Sequence, residues 1–261
     1  MTDREPTIED VAGWMSALRR ITVLTGAGIS TDSGIPDFRG PQGLWTTNPG
    51  AEKLFSFQNY MNDPAVRKLA WKSRLEHPAW DAKPGPGHLA LADLEKAGMV
   101  HTLITQNIDG LHQAAGTSDR VIIEIHGTLR NVVCMSCDDL APMEHALERV
   151  RTGDDDPRCR TCGGILKSAT ISFGQNLVAE DLLRAQEAAS DCEVFLAVGT
   201  SLTVAPVSYL PWIAVNAGAR LVIINAEATP CDAVAAAVFH EPIGAILPRL
   251  AELVKATTPR Q

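Results

Sequence analysis

Four cysteines carry the plainest chemistry in this chain. Cys134 and Cys137 form one C-x-x-C pair, Cys159 and Cys162 a second, and 21 residues separate the pairs. Each pair offers two thiolates from one tight turn, and two such turns can close a tetrahedron around zinc. Four protein ligands leave no open position, so the spacing predicts a structural metal, not a catalytic one. Cys192 and Cys231 have no partner pattern and are expected to be buried free thiols.

A second group of residues follows short apolar runs. Gly26-Ala27-Gly28 comes after Ile21–Thr25, and Gln106-Asn107-Ile108-Asp109 after His101–Thr105. His126-Gly127 follows Val121–Ile125, Gly199-Thr200-Ser201 follows Glu193–Val198, and Asn225-Ala226-Glu227 follows Leu221–Ile224. The runs read as buried strands of a parallel sheet. Their polar or glycine-rich successors then share one edge, where open α/β sheets bind ligands. Glycines let backbone approach a pyrophosphate while amides point at it. A dinucleotide fingerprint would place a third Gly or Ala at Thr31, so the glycines alone also fit a tight strand-to-helix turn. Asn107 and Asp109 could simply cap the next helix. His126, taken alone, could be structural or a general base, since imidazole titrates near neutral pH.

The elements that must position these residues are legible in outline. Thr7 with Asp10 reads as a capping pair, and Val11, Trp14, Met15 and Leu18 follow at helical spacing. Helical stretches such as Leu89–Ala97 and Ala179–Ala189 separate the strands, as a βαβ plan requires. The expected fold is α/β: a Rossmann-like parallel sheet with helices on both faces, discontinuous over residues 1–40, 87–129 and 169–261. Residues 41–86, holding Trp45, Trp71 and Trp80, read as a helical cofactor-loop insertion. Residues 130–168, with the cysteine pairs and the acidic run Asp154-Asp155-Asp156, read as a small inserted zinc-ribbon module.

Composition narrows the function. Apolar residues are 45% and charged residues 21% of 261, the balance of an ordinary globular protein. No run is long and apolar enough to cross a bilayer, and the first residues lack a signal-peptide pattern, so a cytoplasmic protein without a membrane partner is expected. A net charge of −8 argues against nucleic acid and would tolerate a basic, lysine-bearing partner.

The string GAGISTDSGIPDFRG (26–40) resembles the sirtuin family, and the likeness continues in order through TQNIDGLH (105–112), EIHG (124–127), the paired cysteines, GTSL (199–202) and NAE (225–227). The resemblance implies an NAD-dependent protein-lysine deacylase that consumes NAD as co-substrate and carries one structural zinc. It implies His126 as general base, with Asn107 orienting a water or ribose hydroxyl. It places Asp109 at the nicotinamide carboxamide, Gln106 at ribose, and Phe38 and Arg39 on the segment covering the nicotinamide end. Ser201 would meet phosphate from the N-terminal side of a helix, and Asn225 and Glu227 would hold the adenosine ribose. Gly26, Ala27, Gly28, Ser30, Asp37, Ile108, Gly199, Thr200, Ala226 and Ile243 complete the implied cofactor contacts. His88 and His112 look structural.

The acylated peptide would add as a strand along Thr170–Gln175, including Phe173 and Gly174, and along Leu202–Val204. Ser168, Ser172 and Gln175 depart from the family's usual proline, apolar residue and glutamate. Trp71 and Arg74 stand where some sirtuins carry Tyr-x-x-Arg against acidic acyl groups; the simpler reading, taken ahead of it, is that Trp71 is helix core and Arg74 a surface charge. With the tyrosine replaced, deacetylation is the expected main activity. Rival readings are a sirtuin-type ADP-ribosyltransferase, a dehydrogenase and an inactive zinc-ribbon binding module. A dehydrogenase usually carries its ribose acid about twenty residues after the glycines; here the acid, Glu227, comes near the other end.

Overall fold

A computed structural model describes residues 6–18, 20–41, 43–47 and 55–257. Six parallel strands form the main sheet: β1 (Ile21–Thr25), β2 (Val100–Thr105), β3 (Ile122–Glu124), β7 (Val194–Val198), β8 (Arg220–Ile224) and β9 (Ala237–Phe239), in the order β3-β2-β1-β7-β8-β9. Three more, β4 (Gly127–Cys134), β5 (Leu140–Pro142) and β6 (Leu166–Thr170), pair antiparallel in a separate sheet. The helices are α1 (Ile8–Ala17), α2 (Leu44–Thr47), α3 (Phe57–Asn62), α4 (Pro64–Leu75), α5 (Pro86–Lys96), α6 (Leu111–Ala114), α7 (Met143–Arg151), α8 (Ala179–Asp191), α9 (Leu210–Asn216) and α10 (Ile243–Thr257).

The five expected strands form, each within a residue or so of its expected ends. Burial explains why they read as unbroken apolar runs: every residue of β1 and β7 is buried, because helices cover both faces. One face packs on α1, α5 and α10 through Met15, Leu91 and Leu250; the other meets α8 and α9 through Ala185 and Leu210. The Thr7–Asp10 capping box opens α1. The sixth strand, β9, was not expected from sequence: three residues are too few to show a period.

Parallel order does the positioning. Strand order reverses beside β1, so the loops after β1, β2 and β7 share one edge. The sheet β5-β4-β6 begins one residue after His126, which joins it to that edge. No described helix is long and apolar enough to cross a membrane.

Candidate active site and metal centre

Glycine chemistry at the edge differs from the expectation. A Cβ on Gly26 would lie 2.7 Å from the Gly199 carbonyl oxygen, and one on Gly28 would lie 2.8 Å from the Gly199 Cα. The Gly26 amide donates to the Val198 carbonyl at 3.0 Å and the Gly28 amide to the Gly199 carbonyl at 2.9 Å. Both amides are therefore engaged by the loop after β7 and do not point outward at a phosphate. These glycines are required because two loops interlock. Gly199, at φ 62°, completes the contact. Ala27 opens the 3-10 turn Ala27–Ser33 that follows.

Ser30 on that turn is the node of a buried knot. Its hydroxyl donates to Asp109 Oδ2 at 2.8 Å and accepts from Asn107 Nδ2 at 3.1 Å. Asn107 Nδ2 also donates to the Gly26 carbonyl at 3.1 Å. Asp109 Oδ1 accepts the Leu111 amide at 2.9 Å, so this carboxylate does cap α6 while facing Ser30. Asn107 caps nothing; it ties the second loop to the first. Gln106 Nε2 donates to Thr200 Oγ1 at 2.8 Å, which ties the second loop to the third. Ile108 packs its side chain into the cluster around Trp71.

His88 and His112 lie behind this knot, with ring centroids 4.9 Å apart. The Gly85 amide donates to His88 Nδ1 at 3.2 Å, and His112 Nε2 lies 3.0 Å from Thr25 Oγ1. Burial, then the neighbouring His88, pushes the His112 imidazole down to about 3, so the ring stays neutral. Sequence reasoning set both aside as structural; their wiring to Ser30 and Thr25 was not visible because their partners lie 58 and 87 residues away.

His126 sits partly buried just past β3. Its Nδ1 lies 3.1 Å from the Gln106 carbonyl, an acceptor only, so Nδ1 carries the proton and Nε2 presents a lone pair. Burial pulls the imidazole below its ordinary 6.5, with the Gln106 carbonyl opposing. A neutral ring held in one tautomer is what a general base needs.

The remaining expected contacts are distributed unevenly. Ser201 does not itself cap a helix: its hydroxyl pairs with Thr203 Oγ1 at 2.8 Å, and the 3-10 turn Val207–Tyr209, which runs straight into α9, begins six residues later. Asn225 Nδ2 donates to the Glu227 carbonyl at 2.7 Å across Ala226, leaving the Glu227 side chain exposed. His240, given no role in sequence, joins this corner with Nδ1 2.8 Å from the Asn225 carbonyl. Ile243 opens α10 and closes over Gly87 together with Ile29. Asp37 Oδ1 accepts the Gly40 amide at 2.9 Å, fixing a turn. Beside it Phe38 stacks on Trp45 at 5.0 Å, the Arg39 guanidinium lies 4.5 Å above the same ring, and Trp45 reaches Phe173 at 5.6 Å.

Phe173 and Gly174 (φ 87°) are exposed between β6 and α8. The Phe173 amide and carbonyl bond Phe55 and Phe57 at 2.9 Å each, so one side of this segment is already paired. Leu202 is buried with φ 54°, and Val204 is half-buried.

Trp71 is wholly buried core. Arg74 is not a surface charge. Its Nε donates to Ser168 Oγ at 3.0 Å, its guanidinium lies over Tyr60 and Trp71, and burial lowers its pKa. Neither Arg74 Nη1 nor Trp71 Nε1 has a hydrogen-bond partner among the described residues. Lys167 is buried beside them, pulled down to about 7 by burial and then by the Arg74 charge.

At the metal centre the four cysteine Sγ atoms lie within 4.8 Å of one another. Separations of 3.4, 3.5 and 3.8 Å match the roughly 3.8 Å edge of a tetrahedron with Zn–S bonds of about 2.3 Å. The two turns share a left-handed residue directly after each pair but differ in which sulfur accepts an amide, the first of one pair and the second of the other. Ser136 and Gly164 donate amides to the Cys134 and Cys162 sulfurs at 3.4 Å, and Asp138 and Gly163 take left-handed φ after each pair. The donor set fits zinc. Cys192 and Cys231 are buried and free, as expected.

Comparison with known proteins decides the family. The Sir2 family model matches residues 26–206. The chain belongs to the Sir2 family. It is 50% identical over 230 residues to NAD-dependent protein deacetylase 2 of Streptomyces coelicolor, covering 88% of this chain and 95% of that protein. It is 41% identical to NAD-dependent protein deacylase 2 of Pyrobaculum aerophilum, covering 94% and 95%. A solved structure of a Sir2 protein with a p53 peptide and NAD+ superposes with a TM-score of 0.86 at 32% identity, covering 97% of this chain and 100% of that one.

Proposed function

We propose that this Sir2 protein removes acetyl groups, among other acyl groups, from protein lysine side chains at the expense of NAD, yielding nicotinamide, O-acyl-ADP-ribose and free lysine. The observation that carries it is His126: a neutral imidazole with Nε2 free, on the same sheet edge as the Ser30–Asn107–Asp109 knot.

NAD supplies the ribose carbon that receives the acyl oxygen as nicotinamide departs. Asp109 and Asn107 hold the nicotinamide side, and their fixed hydrogen bonds mean little reordering on binding. Gln106, Thr200 and Ser201 face ribose and phosphate, while Asn225 and Glu227 hold the adenosine ribose. His126 takes a ribose hydroxyl proton at Nε2. Phe38, seated on Trp45, keeps water from the reacting centre. The zinc stays outside the chemistry and holds β4 and β6 in place. We read residues 1–40, 87–129 and 169–261 as the NAD-binding unit, 41–86 as the helical insertion and 130–168 as the zinc module.

Incubation with NAD and an acetyl-lysine peptide, followed by mass spectrometry, tests this. Free peptide and O-acetyl-ADP-ribose are expected. ADP-ribosylated protein without deacetylation would favour the transferase reading, and NADH formation would favour a dehydrogenase.

One observation favours a second acyl class. Arg74 Nη1 is buried without a partner, beside a buried Lys167, so a carboxylate-bearing acyl group would find a donor there. Acetyl remains the expected main substrate, since Trp71 fills the space beneath the guanidinium. A succinyl peptide turned over at least tenfold better, with the advantage lost in Arg74→Met, would reverse that order.

A further inference from the structure

The loop holding Asn107 and Asp109 is gripped from outside by the zinc-bearing strand. β4 starts one residue after His126 and ends on the ligand Cys134. Midway along it, the Leu129 amide donates to the Ile108 carbonyl at 2.9 Å, and Arg130 Nη2 donates to the Asp109 carbonyl at 3.3 Å. The Arg130 side chain lies flat on Gly110, where a Cβ would stand 2.1 Å from Arg130 Nε. Gly110 also takes φ 71°, so the turn needs glycine twice over. Asp109 is thus fixed on its inner side by Ser30 Oγ and the Leu111 amide and on its outer side by Arg130.

We infer that Arg130 is a positioning residue for NAD use: with Gly110 it clamps the backbone of Asp109 from β4, so that the carboxylate faces the nicotinamide site. Its role runs through the Asp109 carbonyl and Gly110. The inference rests on the reading of Asp109 as a nicotinamide-side residue. Arg130 is exposed and makes no ion pair among the described residues, so its loss should leave folding and zinc content unchanged.

The test is steady-state deacetylation by the zinc-loaded protein carrying Arg130→Met, Arg130→Lys, Arg130→Ala, Gly110→Ala, the Arg130→Ala/Gly110→Ala double variant, and Asp109→Asn as reference. Arg130→Met should raise KM for NAD about fivefold, equivalent to about 1 kcal/mol, with KM for peptide unchanged. Arg130→Lys should recover part of the loss, because an ammonium can still donate to the carbonyl. Gly110→Ala expels the guanidinium, so it should raise KM less in the Arg130→Ala background than in wild type. If Asp109→Asn impairs NAD use but Arg130→Met does not, the clamp is wrong. If Asp109→Asn itself leaves NAD use intact, the reading beneath the clamp fails and the clamp with it. Equal losses in NAD and peptide KM, or no recovery by lysine, would mark Arg130 as merely structural.

Discussion

The acidic run Asp154-Asp155-Asp156 offers a sharp test of how the helical and zinc modules hold together. Its three carboxylates meet four cations in three settings, Asp156 taking the partly exposed Arg158 at 3.0 Å as well as Arg67. Asp155 pairs with Lys68 at 3.0 Å with both side chains at least half exposed. Asp154 pairs with Arg149 at 2.7 Å with intermediate exposure. Asp156 receives Arg67 Nε on both oxygens at 3.0 Å, with the side chains only 13% and 3% exposed. Arg67 spends its Nη1 on the Tyr60 and Met61 carbonyls, so the guanidinium cannot swing to water if its partner goes. Asp156→Ala therefore strands a buried cation, which costs about 3–5 kcal/mol, whereas an exposed pair such as Asp155–Lys68 is worth under about 1 kcal/mol. At roughly 2–4 °C per kcal/mol for a chain of this size, Asp156→Ala should lower the melting temperature by on the order of 10 °C and Asp155→Ala by about 4 °C at most. Calorimetric melting of the zinc-loaded variants measures both. Replacing the pair together, as Arg67→Met with Asp156→Leu, should restore much of the loss, because no charge is left buried. Equal shifts for Asp155→Ala and Asp156→Ala would refute the idea that burial, not sequence proximity to the zinc ligands, sets the cost.

Three further outcomes are expected. His126→Ala should lower kcat on an acetylated peptide by about 10²–10⁴-fold while NAD binding persists, and because burial lowers the wild-type pKa, the acid limb of its pH profile should fall below 6.5; a midpoint above 6.5, or near-wild-type activity of the variant, removes the role. Metal analysis should find one zinc per chain, lost with Cys137→Ala together with the β4–β6 sheet, since a structural site supplies folding energy; active protein without zinc would contradict it. His112 is neutral when folded and protonates in the unfolded chain, so stability should drop as pH falls from about 6.5 toward 3, by up to roughly 4 kcal/mol; urea unfolding of wild type and His112→Asn at pH 7, 6, 5 and 4 should converge toward acid, and parallel curves would rule this out.

What the sequence disclosed and what it withheld divide along one physical line. Strands, the first helix and both C-x-x-C turns are set by neighbouring residues, so periodicity and spacing exposed them. The Asp109 cap on Leu111 is likewise two residues long and was foreseen. The Ser30–Asp109 bond spans 79 residues and Gln106–Thr200 spans 94, and no local pattern encodes either. Arg74 misled for the same reason. Next to Lys72 and Ser73 near the end of α4 it looks solvated, yet Ser168, 94 residues on, and the Tyr60 ring bury it. Lys167 gave no hint of burial at all, because its acceptors are backbone carbonyls that any sequence supplies.

The interlocked loops also set where this site can move. Gly26 and Gly28 press on Gly199, Asn107 and Asp109 lock on Ser30, and Gln106 locks on Thr200, so these loops form a floor at the sheet edge that moves as one piece with the sheet. Nothing comparable holds Phe38. It is about a third exposed: its carbonyl accepts the Trp45 amide at 3.0 Å, and its ring meets the rings of Trp45 and Phe55, none of which bonds either glycine loop. Ring stacking at 5–6 Å is worth about 1 kcal/mol and tolerates sliding, whereas the floor would have to break several buried hydrogen bonds at once to open. The ring contacts of Phe38 and Trp45 therefore yield before that floor does. Because Trp45 also meets the Phe173 ring at 5.6 Å, a shift of the Trp45 ring loosens Phe173 as well.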